Sequence, residues 1–445
     1  MTQSTISIDL PFHGARQLNA RFDATPLTSD GGAPLLAALD KKLGLVDSMV
    51  SALKDRRDSR YTDHSLADLI RQRVFQISLG YEDCNDADTL RHDPVLKASC
   101  GRDPVIDPDL ASQPTLSRLE NSIGPKACYR LAKSLFQVYL TGHPERPKEI
   151  ILDLDLTADP THGQQELSFF HGYYDSHVYL PLLVFDGEGE LITAVLLPGK
   201  NPGGGPVVAV VKRLVESLRE RWPGISILVR ADAGFASPEL YHIIEREDLG
   251  CLIGFRSNPR LDRRARKIQA RARRRYLRTK HKARVFTSIR YRAKDGWSRS
   301  YRIIIKAEHG AQGPNVRYVL TNRIGRAEAL YDRYAMRGEA CENSIKDLKN
   351  ALLADRLSCH RFWANQFRLF LHAASYILFF SLRRHAAGTE LADAQFDTIR
   401  LRLLKVAAYL VCSARRLCLH LSSAHPWQTL WLRVARRIMS ARAFG

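Results

Sequence analysis

Three stretches of the chain place carboxylates where they could hold a divalent cation. The first is Ile150-Ile151-Leu152-Asp153-Leu154-Asp155-Leu156-Thr157, followed by Ala158-Asp159-Pro160-Thr161-His162-Gly163. Its alternation predicts a β-strand with Leu152, Leu154 and Leu156 on one face and Asp153, Asp155 and Thr157 on the other. A carboxylate beside an apolar core is destabilising unless it is paired or holds a metal. Taken alone, the stretch fits a half-solvated edge strand equally well. The second runs from Ile225 to Ala231, a strand that delivers Asp232 ahead of Ala233-Gly234-Phe235. The third is a long helical run from Ala327 to Leu353. There Cys341, Ile345, Leu348 and Leu352 form a buried stripe, with Glu342, Lys346 and Lys349 on the stripe beside it. A glutamate backed by two lysines suits metal ligation next to a phosphate. On this helix alone, a surface ladder of Glu with Lys four residues on fits better.

The segments between them say how the carboxylates could meet. Val178 to Phe185 and Leu191 to Leu197 are apolar runs joined by Asp186-Gly187-Glu188-Gly189-Glu190, a hairpin signal. With the first strand they predict three antiparallel strands. Pro198 to Pro206 contains Lys200 but lacks the spacing of a phosphate loop, and reads as a turn. A helix follows over Val207 to Trp222, then the strand ending at Asp232. Ser237-Pro238 starts another helix to Glu247, and Cys251 to Phe255 returns as a strand. That order is the order of an α/β ribonuclease-H-like fold, in which the first and fourth strands lie side by side. Their C-terminal ends would bring Asp155 and Asp232 together.

Around this core the composition divides the chain. Residues 1–148 read as a helical N-terminal region; 149–256 as the first part of the core; 257–321 as a basic, β-containing insertion. Residues 322–385 read as the second part of the core, with the Glu-bearing helix, and 386–445 as a helical C-terminal region. In the first region, the acid-rich run from Gly80 to Pro94 fits helix caps better than a metal site. Ser112-Gln113-Pro114-Thr115 to Asn121 has the start expected of a short helix entering DNA. About half of the residues from Arg260 to Arg284 are Lys or Arg, among them Arg263, Arg264, Arg271, Arg273, Arg274 and Arg275. Basic residues this dense repel one another, and a phosphate backbone is their natural counterpart. Alternation from Arg284 to Ile305 predicts a β-ribbon, and Val316 to Leu320 another strand.

The whole chain agrees with that partner. It has 445 residues, 45% hydrophobic and 26% charged, with a formal net charge of +20. Such an excess favours a polyanion, because each neutralised phosphate releases a condensed counterion. Eight scattered cysteines without a Cys-x-x-Cys pair point to a reducing compartment and buried thiols. The N-terminus lacks the features of a signal peptide, and Leu369 to Leu382 reads as a buried core helix too short and polar for a bilayer. These features predict a soluble, cytoplasmic protein with no membrane partner.

The ordered motifs resemble the DDE transposases of insertion sequences, and within them the group of insertion sequences numbered 1380. Leu152 to Thr157 with Thr161-His162-Gly163 is similar to the family's first-aspartate motif, and Arg230-Ala231-Asp232-Ala233-Gly234-Phe235 to its second. Tyr334, Arg337, Glu342 and Lys349 resemble its Tyr-Arg-Glu-Lys signature. Gly80 to Pro94, Ser112 to Thr115 and Asn365 to Leu369 also resemble that group, so the likeness spans nearly the whole chain. One departure stands out. Four residues separate Arg337 from Glu342 where the family has three, which turns the two apart by about 140° in a regular helix. Either a π-bulge absorbs the extra residue, or Arg337 points elsewhere. The spacing from Glu342 to Lys349 is preserved, so Glu342 is kept as the third carboxylate, with Glu339 its substitute.

The resemblance implies a site in which Asp155, Asp232 and Glu342 hold two Mg²⁺ ions, with Mn²⁺ able to substitute. It implies nicking of the element's ends and attack of the freed 3′-OH on target DNA. Tyr334, Arg337, Lys346 and Lys349 would position phosphates, while the N-terminal helices and basic insertion bind the terminal inverted repeats. It further implies a homodimer in a synaptic complex on double-stranded DNA, in a bacterial cytoplasm at the nucleoid. Asp153, one pleat behind Asp155, is expected to lie outside the metal's direct ligands or in solvent. Two rival readings are a non-catalytic DNA-binding protein (a decayed or domesticated transposase) and a related nuclease without strand transfer.

Overall fold

The computed structural model describes residues 7–10, 18–200, 204–292, 297 and 299–441, with the side chains of residues 339 and 340 left aside. The strands are β1 (Ser7–Leu10), β2 (Leu18–Arg21), β3 (Glu149–Leu156), β4 (Asp159–Pro160), β5 (Phe169–His171), β6 (Ser176–Tyr179), β7 (Leu182–Phe185) and β8 (Leu191–Val195). They continue with β9 (Ser226–Ala231), β10 (Gly250–Phe255), β11 (Ala283–Tyr291), β12 (Tyr301–Gly310), β13 (Gly313–Thr321), β14 (Ala408–Ser413) and β15 (Arg416–Leu421). The first helices are α1 (Ala33–Leu43), α2 (Leu45–Ser51), α3 (Leu66–Leu79), α4 (Ala87–Leu90), α5 (Pro94–Ser99), α6 (Gln113–Ser122) and α7 (Pro125–Thr141). The rest are α8 (Gly204–Arg221), α9 (Pro238–Arg246), α10 (Pro259–Thr279), α11 (Ala327–Lys346), α12 (Phe362–His385), α13 (Phe396–Ile399) and α14 (Gln428–Ser440).

The described residues form two compact units, the first drawn from residues 7–42, 56–117 and 381–441, the second from residues 43–55 and 118–380. In the first unit, Asp83 and Asp93 of the acid-rich run accept hydrogen bonds from backbone N–H groups at helix starts, which is the capping role. Ser65 and Asp68 close a reciprocal capping box on α3. The C-terminal region is not wholly helical as the sequence suggested, because β14 and β15 pair as a hairpin. Both strands are largely exposed, so neither carries the buried alternating face that would have marked it.

The second unit is built on an eight-stranded mixed sheet of order β11-β12-β13-β10-β9-β3-β7-β8. β3 runs parallel to β9 and antiparallel to β7, and β9 runs parallel to β10. The expected run from Val178 to Phe185 is not one strand. Pro181 interrupts it, leaving β6 in a small sheet with β4 and β5 and β7 in the large one. The insertion's strands are not a separate ribbon either. β13 pairs antiparallel with β10, so β11 to β13 extend the same sheet. One face carries the main core, with Leu152, Leu154, Val229, Ala231 and Ile253 packed among residues of α8 and α9. On the opposite face, Leu228, Leu252, Ile304 and Val319 pack with Leu330 and Tyr331 of α11. Asp153 and Asp155 point to this second face, so α11 covers the carboxylates rather than solvent. No described helix is long and apolar enough to cross a membrane.

Candidate active site

Register sets the two aspartates side by side. Asp153 pairs with Arg230 and Leu154 with Ala231 across β3 and β9. Asp155 and Asp232 are the next residues along each strand. Asp232 is exposed and accepts a hydrogen bond from the Gly234 N–H at 2.7 Å, which starts a tight turn. Asp155 is half-buried. Burial pushes its carboxyl up to about 6, the Arg337 guanidinium opposes that, and the Asp232 charge adds to it.

Arg337 enters this site from α11. It is buried, and donates to the Leu154 carbonyl at 2.5 Å and to Asp155 Oδ2 at 2.6 Å. Cys341, one turn later on the same face, is buried as well. Tyr334, one turn earlier, is held against β10. A Cβ on Gly254 would lie 2.6 Å from the Tyr334 hydroxyl and 2.8 Å from the Ala233 backbone nitrogen. Glycine therefore lets the phenol and the Asp232 turn approach together, a feature the sequence did not flag.

Glu342 is not brought to this pair. Five residues beyond Arg337 it projects from the exposed side of α11, where the Lys346 ammonium at 2.8 Å holds its carboxyl below the usual range. Of the two alternatives for the extra residue, α11 shows neither at the expected place. The helix is α-helical through Arg337 and Glu342, a π-helical segment falls later at Asp347–Ala351, and Arg337 points into the site. Lys349, on that π segment, donates to the Ala158 carbonyl.

Asp153 is not solvated. It is fully buried and forms a two-point ion pair with Arg230, at 2.6 Å from Nε and 2.5 Å from Nη2. Burial pushes this carboxyl up and the guanidinium pulls it back. Asp159 is also buried, and neither of its carboxyl oxygens has a hydrogen-bond partner. Burial, reinforced by the Asp355 charge, raises it to about 8. The unfolded chain releases this proton near about pH 4 and the folded chain near pH 8. Between those values the folded state binds more protons, so this residue costs increasing stability as pH rises. Asp159→Asn is therefore expected to flatten the decline in melting temperature between about pH 4 and pH 8. An identical slope in the variant, read by differential scanning calorimetry, would contradict this.

The basic residues form a surface of their own. Asn258 caps α10, Pro259 starts it, and Leu261, Ala265, Ile268 and Ala272 seat it on the sheet. That leaves Arg263, Arg264, Arg271, Arg273, Arg274 and Arg275 exposed. Arg271, Arg274 and Arg275 join Arg278, Arg284 and Phe286 around an open concavity. Cys412 and Cys418 are exposed on the β14–β15 hairpin, unlike the buried thiols the sequence suggested.

Among the described residues, one group of His, Asp and Glu side chains has its ligand atoms within 4.8 Å of one another: His143, Asp186 and Glu190. It is not the expected set. Phe185 pairs with Asp153, so Asp186 lies toward the other end of β3 from Asp155. Asp186 accepts from the Glu188 and Glu190 N–H groups, which braces the β7–β8 turn. The Asp155 and Asp232 pair does fit a divalent cation. Its oxygens are hard donors, and a cation would relieve their mutual repulsion.

Comparison with known proteins bears on the family of the chain. No curated protein matches the chain. Solved structures that resemble it include the cryo-EM structure of the piggyBac transposase synaptic complex with hairpin DNA, at 12% identity and a TM-score of 0.43. That match covers 93% of this chain and 82% of the other, and at such a score it carries no weight for function. A family model described as transposase DDE domain, group 1, matches residues 10–443. On that match, across nearly its whole length, the chain belongs to the DDE transposases.

Proposed function

We propose that this metal-dependent DNA-cutting and DNA-transferring enzyme acts on the terminal inverted repeats of its own insertion sequence. It nicks those ends and joins the freed 3′-OH to target DNA, from a ribonuclease-H-like core within the eight-stranded sheet. The observation that supports this best is the placement of Asp155 and Asp232 at the ends of adjacent parallel strands, beneath α11. Asp155 and Asp232 would hold the divalent metal, Mg²⁺ by the chemistry of the donors, with Glu342 as the third carboxylate. In this structure Glu342 lies away from them, so joining the pair requires its helical turn to rotate. Bound ions would supply charge stabilisation to the attacking and leaving oxygens of an in-line displacement.

The chain's own groups do the rest. Arg337 fixes the Asp155 carboxylate and places a positive charge beside it. Tyr334 and Lys349 flank the site and would steady the DNA backbone. The exposed arginines of α10 supply the long-range attraction, which weakens as salt rises. Two copies would pair the two ends of the element. The direct test is incubation of purified protein and Mg²⁺ with duplexes carrying the repeats that flank its gene. Nicks mapping to the repeat ends, and absent in EDTA, are expected. Cutting unaffected by EDTA would defeat the proposal.

A further inference from the structure

Away from the cleavage carboxylates, a second set of donors gathers where α7 ends against the β7–β8 turn. His143 lies just past the last residue of α7, and Asp186 and Glu190 are the two ends of that turn. Their ligand atoms all lie within 4.8 Å of one another. Asp186 and Glu190 are buried, at 7% and 9% exposure, and His143 is half-buried. Phe185 pairs with Asp153, so the set lies toward the other end of β3 from Asp155 and shares no residue with the cleavage site.

Two of the three donors are aimed from outside the set. The Tyr139 carbonyl can only accept, so its 2.9 Å contact with His143 Nδ1 fixes that nitrogen as the donor. Nε2 is left facing Glu190, and metal-binding imidazoles are ordinarily held in this way by their other nitrogen. The Tyr139 ring packs on the imidazole at 4.5 Å. Asp186 Oδ1 accepts the Glu188 and Glu190 N–H groups at 2.8 and 2.9 Å. Among the described residues, that leaves Oδ2 only the Tyr139 hydroxyl, at a stretched 3.4 Å. The turn is itself pinned, because the Tyr376 hydroxyl donates to the Gly189 carbonyl at 2.7 Å.

The spacing separates a shared proton from an ion. His143 Nε2 stands 3.7 Å from Glu190 Oε2, beyond the roughly 2.7–2.9 Å of the bond a protonated imidazole would make. Donors on a tetrahedral zinc ion, with bonds of about 2.0–2.2 Å, stand about 3.4 Å apart. The set therefore closes on such an ion with a small movement. Two buried carboxylates also call for a positive charge between them, and the C-terminal carbonyls of α7 add partial negative charge of their own. Burial pushes the Asp186 carboxyl up despite the Glu190 and Glu188 N–H groups and His143, so its charge is under-compensated. We propose that His143, Asp186 and Glu190 form a zinc site that ties the end of α7 to the β7–β8 turn. Water would take the fourth position. An imidazole beside two carboxylates suits Zn²⁺ better than Mg²⁺, which favours oxygen donors alone.

The test uses full-length, tag-free protein, stripped with EDTA and dialysed, with Zn²⁺ as the probe. Asp155→Asn serves as the reference chain, so that the cleavage carboxylates do not contribute. Zn²⁺ is expected to bind it saturably in isothermal titration calorimetry and to raise its melting temperature. Adding His143→Gln or Glu190→Gln, which lie on different elements, should weaken that binding by at least about 10–100-fold, the loss typical when only an outer partner of a metal ligand is removed. Co²⁺ in place of Zn²⁺ should give the strong visible absorption of a four-coordinate ion. That spectrum decides alone if the added substitutions unfold the chain, and the weak absorption of six-coordinate Co²⁺ would then overturn the site. No Zn²⁺ binding to the reference chain, or binding that both His143→Gln and Glu190→Gln retain, would overturn the proposal as well. Each of these results leaves the cleavage reading untouched.

Discussion

Asp232→Asn is expected to lower cleavage of the element's ends by at least about 10²–10³-fold, the loss typical when a group stabilising transition-state charge is removed. Asp232 is exposed and its side chain packs against little, so the fold should survive the change. Binding of the inverted repeats should persist, because affinity comes from phosphate contacts made by arginines elsewhere. A cleavage assay read alongside a DNA-binding assay separates the two. A variant that cuts normally, or one that loses binding in step with cutting, would contradict the assignment. The same assay decides Glu342. As the third carboxylate its Gln variant should fall nearly as far as Asp232→Asn. Full activity in Glu342→Gln would show that the exposed position paired with Lys346 is its working position.

Arg230→Ala is expected to cost about 3–5 kcal/mol of stability, the penalty for stranding a buried charge. Arg230 and Asp153 are 2% and 0% exposed, and the guanidinium spans both carboxylate oxygens while also donating to the Arg333 carbonyl at 2.7 Å. Without it, Asp153 is tolerated only as the neutral acid. Its folded pKa would then stand above the unfolded value near about 4, so the penalty should deepen as pH rises. Asp153→Asn in the Arg230→Ala background should recover part of the loss, and the recovery should be larger at pH 8 than at pH 5. Denaturant unfolding at the two pH values checks this. A penalty below about 1 kcal/mol would mean the pair is no more than a surface-type ion pair. It also separates the aspartates of β3: Asp153→Asn should act on stability, and Asp155→Asn on cleavage.

The sequence carried the core's wiring because its signals are local. Alternation marked β3, apolar runs marked β8 and β9, and Ser237-Pro238 marked the start of α9. The order of these elements was enough to bring Asp155 beside Asp232. What it could not carry depends on tertiary coverage. Taken alone, the face of β3 holding Asp153 and Asp155 fitted a half-solvated edge as well as a metal-holding face, because nothing in an alternating pattern says that α11 and Arg230 will cover it. Pro181 is one residue in an eight-residue apolar run, yet its missing N–H sends the two halves into different sheets. The strands of the insertion were legible, but their pairing with β10 was not, since edge-to-edge contact leaves no mark on composition.

Helix α11 is where sequence and structure differ most at the site. The extra residue between Arg337 and Glu342 was recognised as a problem, with a π-bulge or a redirected arginine as its solutions. The structure keeps Arg337 on Asp155 and turns Glu342 outward instead. Geometry favours this in the absence of other charges. Arg337 gains a carboxylate and a backbone carbonyl, while Glu342 gains a lysine one turn away at no desolvation cost.

The most direct measurement follows both products of the reaction at once. Purified protein, labelled duplexes carrying the flanking inverted repeats, and unlabelled target DNA are combined with Mg²⁺ or with EDTA. The account predicts nicks at the repeat ends and labelled DNA joined to the target, both lost in EDTA and both lost in Asp155→Asn. Nicks that persist in EDTA, or that appear in Asp155→Asn at the wild-type rate, would contradict it.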